Sequence, residues 1–560
     1  MQKHSLFILS ATFASLLLTS GIALAVAPPS STEPSRAPQQ IAPLAEPSKP
    51  EGATVTSKST LQAPSGASKV KFKLVSVEIT GMTAYKDSDI KSLYKGMIGE
   101  TISLADVYDL ANRITAKYRN DGYILTQVVV PPQTIEGGHI RFRVVEGVVN
   151  NIRIEGETHG RLSDLQPFVD KIKETQPFNS KVLERYLLLI NDLPGITAKA
   201  VLSPAKVPGA TDITIVTSWK PYDLFFQVDN RGSRYLGPLQ TDAGIRLNNM
   251  LGLYEGINLQ YALAPDDTEL EYGNISYMQP FGHEGTMVTV GGGMSRTRPG
   301  FTLTPLDVQG LAKTVDLRVM QPFIRSRNEN LSATLVYDYL DSTREDNTGA
   351  PTVNDRLSVV RAGSTFQIVD RFAGANTATA EISKGIGLFG TTGRSDLNTT
   401  RPGASDDFLK GTAELSRVQR VNDHFDIFAS GTGQKASGRL LASEQFGVGG
   451  INYGSAYDSS EITGDDGMAA RGELRLNNPF QTPLQSTQFY TFYDIGKVYD
   501  PGNTVPKDRM RSIASAGLGF RLALNKNFSG SFEYAKPLTR YVQANSDEHP
   551  RMFGTLTARF

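Results

Sequence analysis

Ala514-Ser515-Ala516-Gly517-Leu518-Gly519-Phe520-Arg521-Leu522-Ala523-Leu524 is the stretch that decides the fold. In an extended chain Ala514, Ala516, Leu518, Phe520, Leu522 and Leu524 fall on one side, while Ser515, Gly517, Gly519 and Arg521 fall on the other. The run from Gly467 repeats the pattern, with Met468, Ala470, Gly472, Leu474 and Leu476 set against Arg471, Glu473 and Arg475. Sixteen such runs can be counted, starting near Tyr222, Leu239, Glu255, Glu269, Gly285, Gly310, Glu329, Asp355, Ala375, Phe408, His424, Gly467, Ser486, Met510, Lys526 and Pro550. A soluble sandwich also alternates, so the pattern alone leaves two architectures open.

Three features favour a closed barrel in lipid. Connections alternate between tight (Leu251–Tyr254, Phe281–Glu284, Asn525-Lys526) and long and polar (Thr297–Gln309, Asp341–Asn354, Ile386–Asp407, Ala436–Asp466). That is the arrangement of outer-membrane barrels, with short periplasmic turns and longer outer loops. The strand count is even, which brings both ends to one side. The chain also closes on Phe560, with Ala558, Leu556 and Met552 on the same face. In hydrocarbon every unpaired backbone group costs several kcal/mol, so extended chain survives only in a barrel without edges. The expected fold is mostly β, with two small α/β modules followed by a 16-stranded antiparallel transmembrane β-barrel over residues 220–560.

Composition narrows the function. Lys+Arg and Asp+Glu are equal at 57 each, so no excess positive charge points to nucleic acid. With no Cys among 560 residues, thiol catalysis, Cys-zinc sites and iron–sulfur clusters drop out together. Gly385-Ile386-Gly387-Leu388-Phe389-Gly390 matches G-x-G-x-x-G but has no βαβ unit around it. His283-Glu284 begins an H-E-x-x-H, yet Met287 stands where the second His is needed. No catalytic constellation, metal site or cofactor is expected, and the chain is not read as an enzyme.

The front of the chain has three parts. Met1-Gln2-Lys3-His4, the apolar run Leu6–Leu18 and Ala23-Leu24-Ala25 have the layout of a signal peptide over residues 1–25. Residues 26–69 are rich in Pro, Ser, Ala and Thr and are expected to form a flexible linker. Two strand/helix units follow, at 70–148 and 149–219. In the first, Ser103-Leu104-Ala105-Asp106 fits a capping box ahead of a helix that ends near Asn120-Asp121-Gly122, with strands at Tyr123–Val130 and His139–Val145. In the second, helices are expected at Ser163–Glu174 and Lys181–Asp192, the latter stopped by Pro194-Gly195.

The strings Tyr118-Arg119-Asn120-Asp121-Gly122-Tyr123-Ile124, Val130-Pro131-Pro132-Gln133 and Val145-Glu146-Gly147 resemble the first periplasmic POTRA module of two-partner secretion transporters. These are the TpsB proteins, the ShlB/FhaC/HecB haemolysin secretion/activation group, relatives of the barrel-assembly factor BamA. Leu183 to Gly195, with Glu184, Arg185, Asp192 and Pro194, resembles their second module, and Asp229-Asn230-Arg231-Gly232-Ser233 the start of their barrel. The resemblance runs over residues 70–560. It implies an outer-membrane protein with its POTRA modules in the periplasm. Such a protein exports one unfolded partner exoprotein of haemolysin or adhesin type, without nucleotide hydrolysis. It implies client-binding motif residues at Tyr118, Gly122, Tyr123, Pro132, Gln133, Glu146, Gly147, Arg185, Asp192, Pro194 and Gly195. Further implications are contact with outer-membrane lipid, Phe560 as a C-terminal signal for the barrel assembly machinery, and a monomer. Family members often place a plug helix before the modules; Pro29, Pro34, Pro38 and Pro43 argue against one here.

The long loop Ala436–Asp466 falls where the family's sixth outer loop folds back into the lumen. Its tip there usually reads V-R-G-Y or G-R-A-Y; here it is Gly454-Ser455-Ala456-Tyr457. The missing arginine is the one that pairs with the aspartate of an F-x-D-x-G motif, present here as Phe492-Tyr493-Asp494-Ile495-Gly496. Ser455 can hydrogen-bond but cannot neutralise a carboxylate. Either Arg471 or Arg475 supplies the charge from the preceding strand, or water hydrates Asp494. Two other functions use related architectures. A barrel insertase usually carries three or more modules, and a passive porin needs none.

Overall fold

The computed structural model describes residues 28–38, 61–207, 209–265, 269–480, 484–503 and 505–560; the signal peptide expected at 1–25 lies outside them. Sixteen antiparallel strands close into one barrel. They are Tyr222–Asp229, Gln240–Asn248, Gly256–Leu263, Leu270–Phe281, Thr286–Thr297, Gln309–Arg325, Glu329–Glu345, Val353–Val369, Gly374–Gly385, Leu409–Arg420, Phe425–Ala436, Asp466–Asn477, Ser486–Tyr499, Met510–Ala523, Phe528–Pro537 and Arg551–Arg559. Each begins within two residues of its expected start. Strand 16 closes on strand 1 through Leu556↔Val228 and Thr557↔Gln227. Phe560 and Leu224 extend the seam by exchanging backbone bonds of 2.8 and 2.9 Å.

The alternation is that of a membrane barrel and not of a sandwich. Leu474, Leu518 and Leu556 are 62%, 55% and 70% exposed on the outer face, whereas Arg471, Arg475 and Asp494 are 5% exposed or less on the inner one. Apolar side chains that would cost roughly 1.5–3 kcal/mol each to leave in water therefore face lipid. Tyr222, Phe281, Phe323, Phe425, Phe489, Phe528 and Phe560, all exposed, ring the end that carries the short turns. Aromatic girdles mark membrane–water interfaces in such barrels.

In the first module Ser76–Thr80 lies parallel to His139–Val145, which pairs antiparallel with Gln127–Val129. Helix Leu104–Asn120 covers this sheet, with Val107, Leu110, Ala111, Ile114 and Tyr118 buried. Ser103 and Asp106 form the expected capping box. The strand expected over Tyr123–Val130 is shorter. Gly122, at φ 105°, ends the helix, and the Tyr123 and Thr126 N–H groups bond back to Tyr118 and Tyr123 carbonyls. A short ladder, Lys71–Lys73 with Thr101–Ser103, and a one-turn helix, Asp87–Lys91, complete the unit. In the second module Ala210–Trp219 lies between parallel Val148–Gly156 and antiparallel Ile196–Pro204, under helices Leu162–Glu174 and Ser180–Asn191.

The linker departs from expectation at both described ends. Residues 28–38 sit inside the barrel as two 3₁₀ turns, Ser30–Thr32 and Pro34–Arg36, followed by α-helical backbone at Ala37 and Pro38. Arg36, 1% exposed, donates to Ala442 O (2.9 and 2.6 Å), Gln445 O (2.8 Å) and Ser460 Oγ (2.9 Å). Glu33 pairs with Arg344, and Ala37 packs on Leu236, Ala264 and Leu270. Counting apolar residues fails here because the segment is ordered by polar bonds to a wall that already exists, and it builds no core of its own. Closer to the first module, Leu61 exchanges two hydrogen bonds with Asn112.

Candidate functional site

The loop between strands 11 and 12 folds back into the lumen. It is braced by its own ladder, Phe446–Val448 with Ile462–Gly464. Its tip, Gly454 to Tyr457, reaches the inner faces of strands 13 and 14. Ser455 donates to Asp494 Oδ2 from both its N–H (3.1 Å) and its hydroxyl (2.9 Å). The Ser515 hydroxyl donates to the other Asp494 oxygen. Ala456 N–H approaches Ser515 Oγ (3.4 Å), and the Tyr457 hydroxyl donates to Ala514 O (3.3 Å) and Arg540 O (3.1 Å). Gly454 is left-handed, at φ 91°, and allows the turn. A Cβ at Gly496 would lie 2.3 Å from Val448, so only glycine lets the loop ladder lie against strand 13. This gives a packing reason for the last residue of F-x-D-x-G.

The cation comes from Arg471. Register puts Arg471 directly opposite Asp494, and Asp494 opposite Ser515. Arg471 Nη1 donates to Asp494 Oδ2 at 3.2 Å and also bonds Ser455 Oγ. Arg475 lies opposite Tyr490 instead and pairs with Glu473 at 2.7 Å. Ser455 and Arg471 together thus make the contacts to Asp494 that the resemblance assigns to one loop arginine.

A charged cluster spreads from there. Glu473 accepts from Arg471 Nε (2.7 Å), Arg475 Nε (2.7 Å) and Arg521 (3.1 and 3.2 Å). Glu533 accepts from Arg231 (2.9 Å), the Tyr490 hydroxyl (2.8 Å) and, at 3.4 Å, Arg471. Arg471 lies over the Phe492 ring at 4.3 Å and Arg521 over Tyr490 at 4.0 Å. Sequence reading gave no site role to Ser515, Glu533 or Arg231. Ser515 and Glu533 stand on inward positions of alternating strands and could have been found by pairing strands 13 to 15 in register.

The motif residues of the modules build joints. Tyr118 has no exposed surface, so no client can reach it. Its hydroxyl donates to Glu146 (2.9 Å), which also accepts from the N–H groups of Thr83 (2.9 Å) and Ala84 (3.0 Å). Burial pushes the Glu146 carboxyl up, but these donors outweigh it and hold the group below the usual carboxylate range. Tyr123 meets Tyr118 and Tyr85 edge to face. Gly122 O accepts from Ser180 N–H (2.8 Å), and Gly147 O from Phe178 N–H (2.9 Å); both bonds tie the first module to the second. Pro132 is exposed. The Gln133 side chain bonds both the N–H and C=O of Arg141 at 2.8 Å, continuing the sheet where the prolines cannot.

A second joint ties module two to the barrel. Arg185 donates to Phe323 O and Glu284, both 3.0 Å, and Asp192 accepts a bidentate pair from Arg325 at 2.7 and 2.8 Å. Gly195 O accepts from Lys220 N–H (2.8 Å), and Pro194 lies against Gly256. Trp219 stacks on His159, ring centres 4.2 Å apart. The module's core runs on into the barrel's Tyr254 and Met287, with Met278 and Met320 packed against it. These eleven positions were expected to touch a client; the structure brings nearly all of them to bonds within and between the folded units. The reason is that a glycine, a buried hydroxyl or a bidentate ion pair is what a close joint between two rigid units requires.

Among the described residues no group of three His, Cys, Asp or Glu side chains could hold a metal. What the site offers is a polar lumen, a loop seated across it, and sheet edges below it at Ser76–Thr80 and Ile196–Pro204.

Comparison with known proteins agrees. The family model for haemolysin secretion/activation protein ShlB/FhaC/HecB matches residues 209–522, and that for the POTRA domain, ShlB-type, matches 72–147. The heme/hemopexin transporter protein HuxB of Haemophilus influenzae (strain 86-028NP) is 26% identical over 503 residues, covering 86% of each chain. The outer membrane transporter CdiB-2 of Burkholderia pseudomallei (strain 1026b) is 24% identical, over 73% of this chain and 70% of that one. Among solved structures, CdiB from Escherichia coli aligns with a TM-score of 0.73 at 19% identity, covering 90% of this chain and 93% of that one. BamA from Haemophilus ducreyi lacking POTRA domains 1–3 aligns at 0.52 and 17%, covering 87% and 100%.

Proposed function

The chain belongs to the haemolysin secretion/activation protein family ShlB/FhaC/HecB, outer-membrane two-partner secretion transporters, and from that premise we propose that it captures one unfolded exoprotein through its POTRA sheet edges and exports it through its barrel without nucleotide hydrolysis. The observation that carries this reading is a closed sixteen-strand barrel whose lumen is crossed by a seated loop and whose mouth is welded to the second POTRA module. A passive pore has no use for such a joint. An extended client adds to an open sheet edge by backbone bonds, with little demand on its sequence. Ser76–Thr80 and Ile196–Pro204 are such edges, while the motif residues hold those edges in position under the barrel. Net direction then comes from folding outside, since a folded client cannot return. Residues 28–38 and the loop tip keep the lumen closed at rest, and the transporter works as a monomer inserted by the barrel assembly machinery.

The second module shares its core with the barrel, so the clean test removes the first alone, residues 72–147. Secretion of a co-expressed partner exoprotein should stop while the barrel still shows heat-modifiable migration. Unchanged secretion from that deletion would refute the reading.

A further inference from the structure

Gly385 to Gly390, the G-x-G-x-x-G string, forms the end of strand 9 and a turn beyond it. The turn lies against the outer side of the barrel rim. Ile386 N–H donates to Ser358 O (2.8 Å), Leu388 N–H to Ile386 O (2.9 Å) and Thr392 N–H to Arg356 O (2.9 Å). The Ser358 hydroxyl, on the outer face of strand 8, donates to Leu388 O (2.9 Å). Phe389 meets Tyr339, on the outer face of strand 7, edge to face at 6.1 Å. The tip is thus held firmly, yet among the described residues Leu388 stays 47% and Phe389 72% exposed. Phe389 also has left-handed backbone, φ 63°, which a bulky residue rarely adopts. Such strain persists only where surrounding bonds enforce it, and here its result is an exposed apolar ring.

The wall behind the tip fixes its level. On the outward positions of strands 7 and 9, Leu335 and Ile382 are exposed and face lipid. Two residues beyond Tyr339 and Ser358 stand Asp341 and Arg356, paired at 3.5 Å, and two beyond Ile382 stands Lys384, paired with Asp407 at 2.5 Å. The apolar outer face therefore ends at the tip, and charged pairs begin just above it. The far end of the same connection turns inward. Arg401 donates to Leu440 O, Asp465 and, at 2.6 Å, Asp500, and Thr400 Oγ1 accepts from Ala442 N–H (3.1 Å). Ala404 and Phe408 pack on Leu440 and Leu441, at the base of the seated loop.

We infer that Leu388 and Phe389 anchor in the outer leaflet of the membrane, where headgroups meet acyl chains, and that the connection behind them is a strut tying the base of the seated loop to the lipid surface. The occupant is lipid because the tip continues the lipid-facing wall at the level where that wall turns polar. Aromatic side chains collect at this boundary, with an apolar body for the chains and neighbours that suit the headgroups. Apolar groups seated there reach about 5–10 Å into the headgroup and acyl boundary. A tip held by backbone bonds enters without first being ordered, so little entropy opposes its insertion.

The full-length protein is placed in phosphatidylcholine vesicles whose acyl chains carry bromine either near the headgroup or near their ends. Trp219, the chain's single tryptophan, is changed to Phe throughout. In that background Phe389→Trp should lose roughly half of its emission to the shallow bromine and less to the deep one. Leu397→Trp is the control. Leu397 is 79% exposed on the same connection, next to Asn398, whose carbonyl accepts from Asn354 N–H at 2.8 Å. That level is about 13 Å further along strand 8 than Ser358, at ~3.3 Å per residue, and emission there should not change. No quenching at 389, stronger quenching from the deep bromine, or equal quenching at 397 overturns the anchor. Quenching at 389 that vanishes as the protein-to-lipid ratio rises would seat a second copy there and overturn it too. For the strut, Leu388→Ser with Phe389→Ser, both exposed and so harmless to the fold, should speed hydrogen exchange at Leu440 and Leu441 roughly threefold or more in vesicles while the barrel stays heat-modifiable. Unchanged exchange at those two residues would overturn the strut.

Discussion

The lumen cluster and the joint between module two and the barrel are built from the same chemistry, arginines against carboxylates, yet they differ in burial. Arg471 and Asp494 have side chains 4% and 0% exposed; Arg325 and Asp192 have 25% and 34%. A buried charge that loses its partner has nowhere to find water, whereas a half-exposed one does. The two regions therefore carry unlike consequences for the same kind of bond. The lumen cluster fixes where the loop sits, and the joint allows adjustment at modest cost.

The comparison can be broken most forcefully at Arg471. Arg471→Ala leaves buried Asp494 without a cation, while Glu473 keeps Arg475 and Arg521 and Glu533 keeps Arg231, and should lower barrel stability by about 3–5 kcal/mol, seen as a large drop in the heat-modifiability midpoint. A drop no larger than that from a joint variant would mean that burial does not separate the two regions. Next in size, Ser455→Arg restores the family's loop arginine but crowds a fully buried position already served by Arg471, and should cost about 1–3 kcal/mol. Adding Arg471→Ser should recover most of that loss, because the cation then comes from the loop again. Failure of the pair to rescue would show that the two positions are not interchangeable.

A smaller effect sharpens the lumen side. Burial, aided by the Asp458 carboxyl, pushes Glu461 in the seated loop up to about 7. The folded state therefore holds the proton more tightly than the unfolded chain. This contribution is full below the usual carboxylate range and is lost as pH rises through about 7. Protection of the loop amides, corrected for the intrinsic pH dependence of exchange, should fall between about pH 5 and 7, by less than about 1.4 kcal/mol per pH unit, and Glu461→Gln should remove that fall. The smallest expected effect is at the joint. Arg325→Ala should cost about 1 kcal/mol or less. It should appear as a small shift of the heat-modifiability midpoint.

Much of this is legible in the sequence alone. Strand starts followed from period-two patterning because lipid outside and water inside demand opposite residues at successive positions. The Ser103–Asp106 box marked its helix for an equally local reason. Other features were not legible. Residues 28–38 read as solvated linker because their partners, Ala442, Gln445, Ser460 and Arg344, lie more than 300 residues away. That Tyr118, Gly122 and Asp192 bond to neighbouring segments was not legible because a motif string records that a residue type is needed without recording what it faces. Arg471 and Arg475 were equivalent in sequence, two alternations apart, and only register chose between them.

The chain alone determined that its last three-fifths is a sixteen-strand barrel preceded by two small modules, since side-chain alternation and capping act over a few residues and are written in order. Tertiary structure decided which arginine meets Asp494, that residues 28–38 and the loop between strands 11 and 12 enter the lumen, and that signature residues of the modules build joints. Those outcomes depend on which distant segments come within about 3 Å of each other, a property of the closed surface that no local pattern encodes.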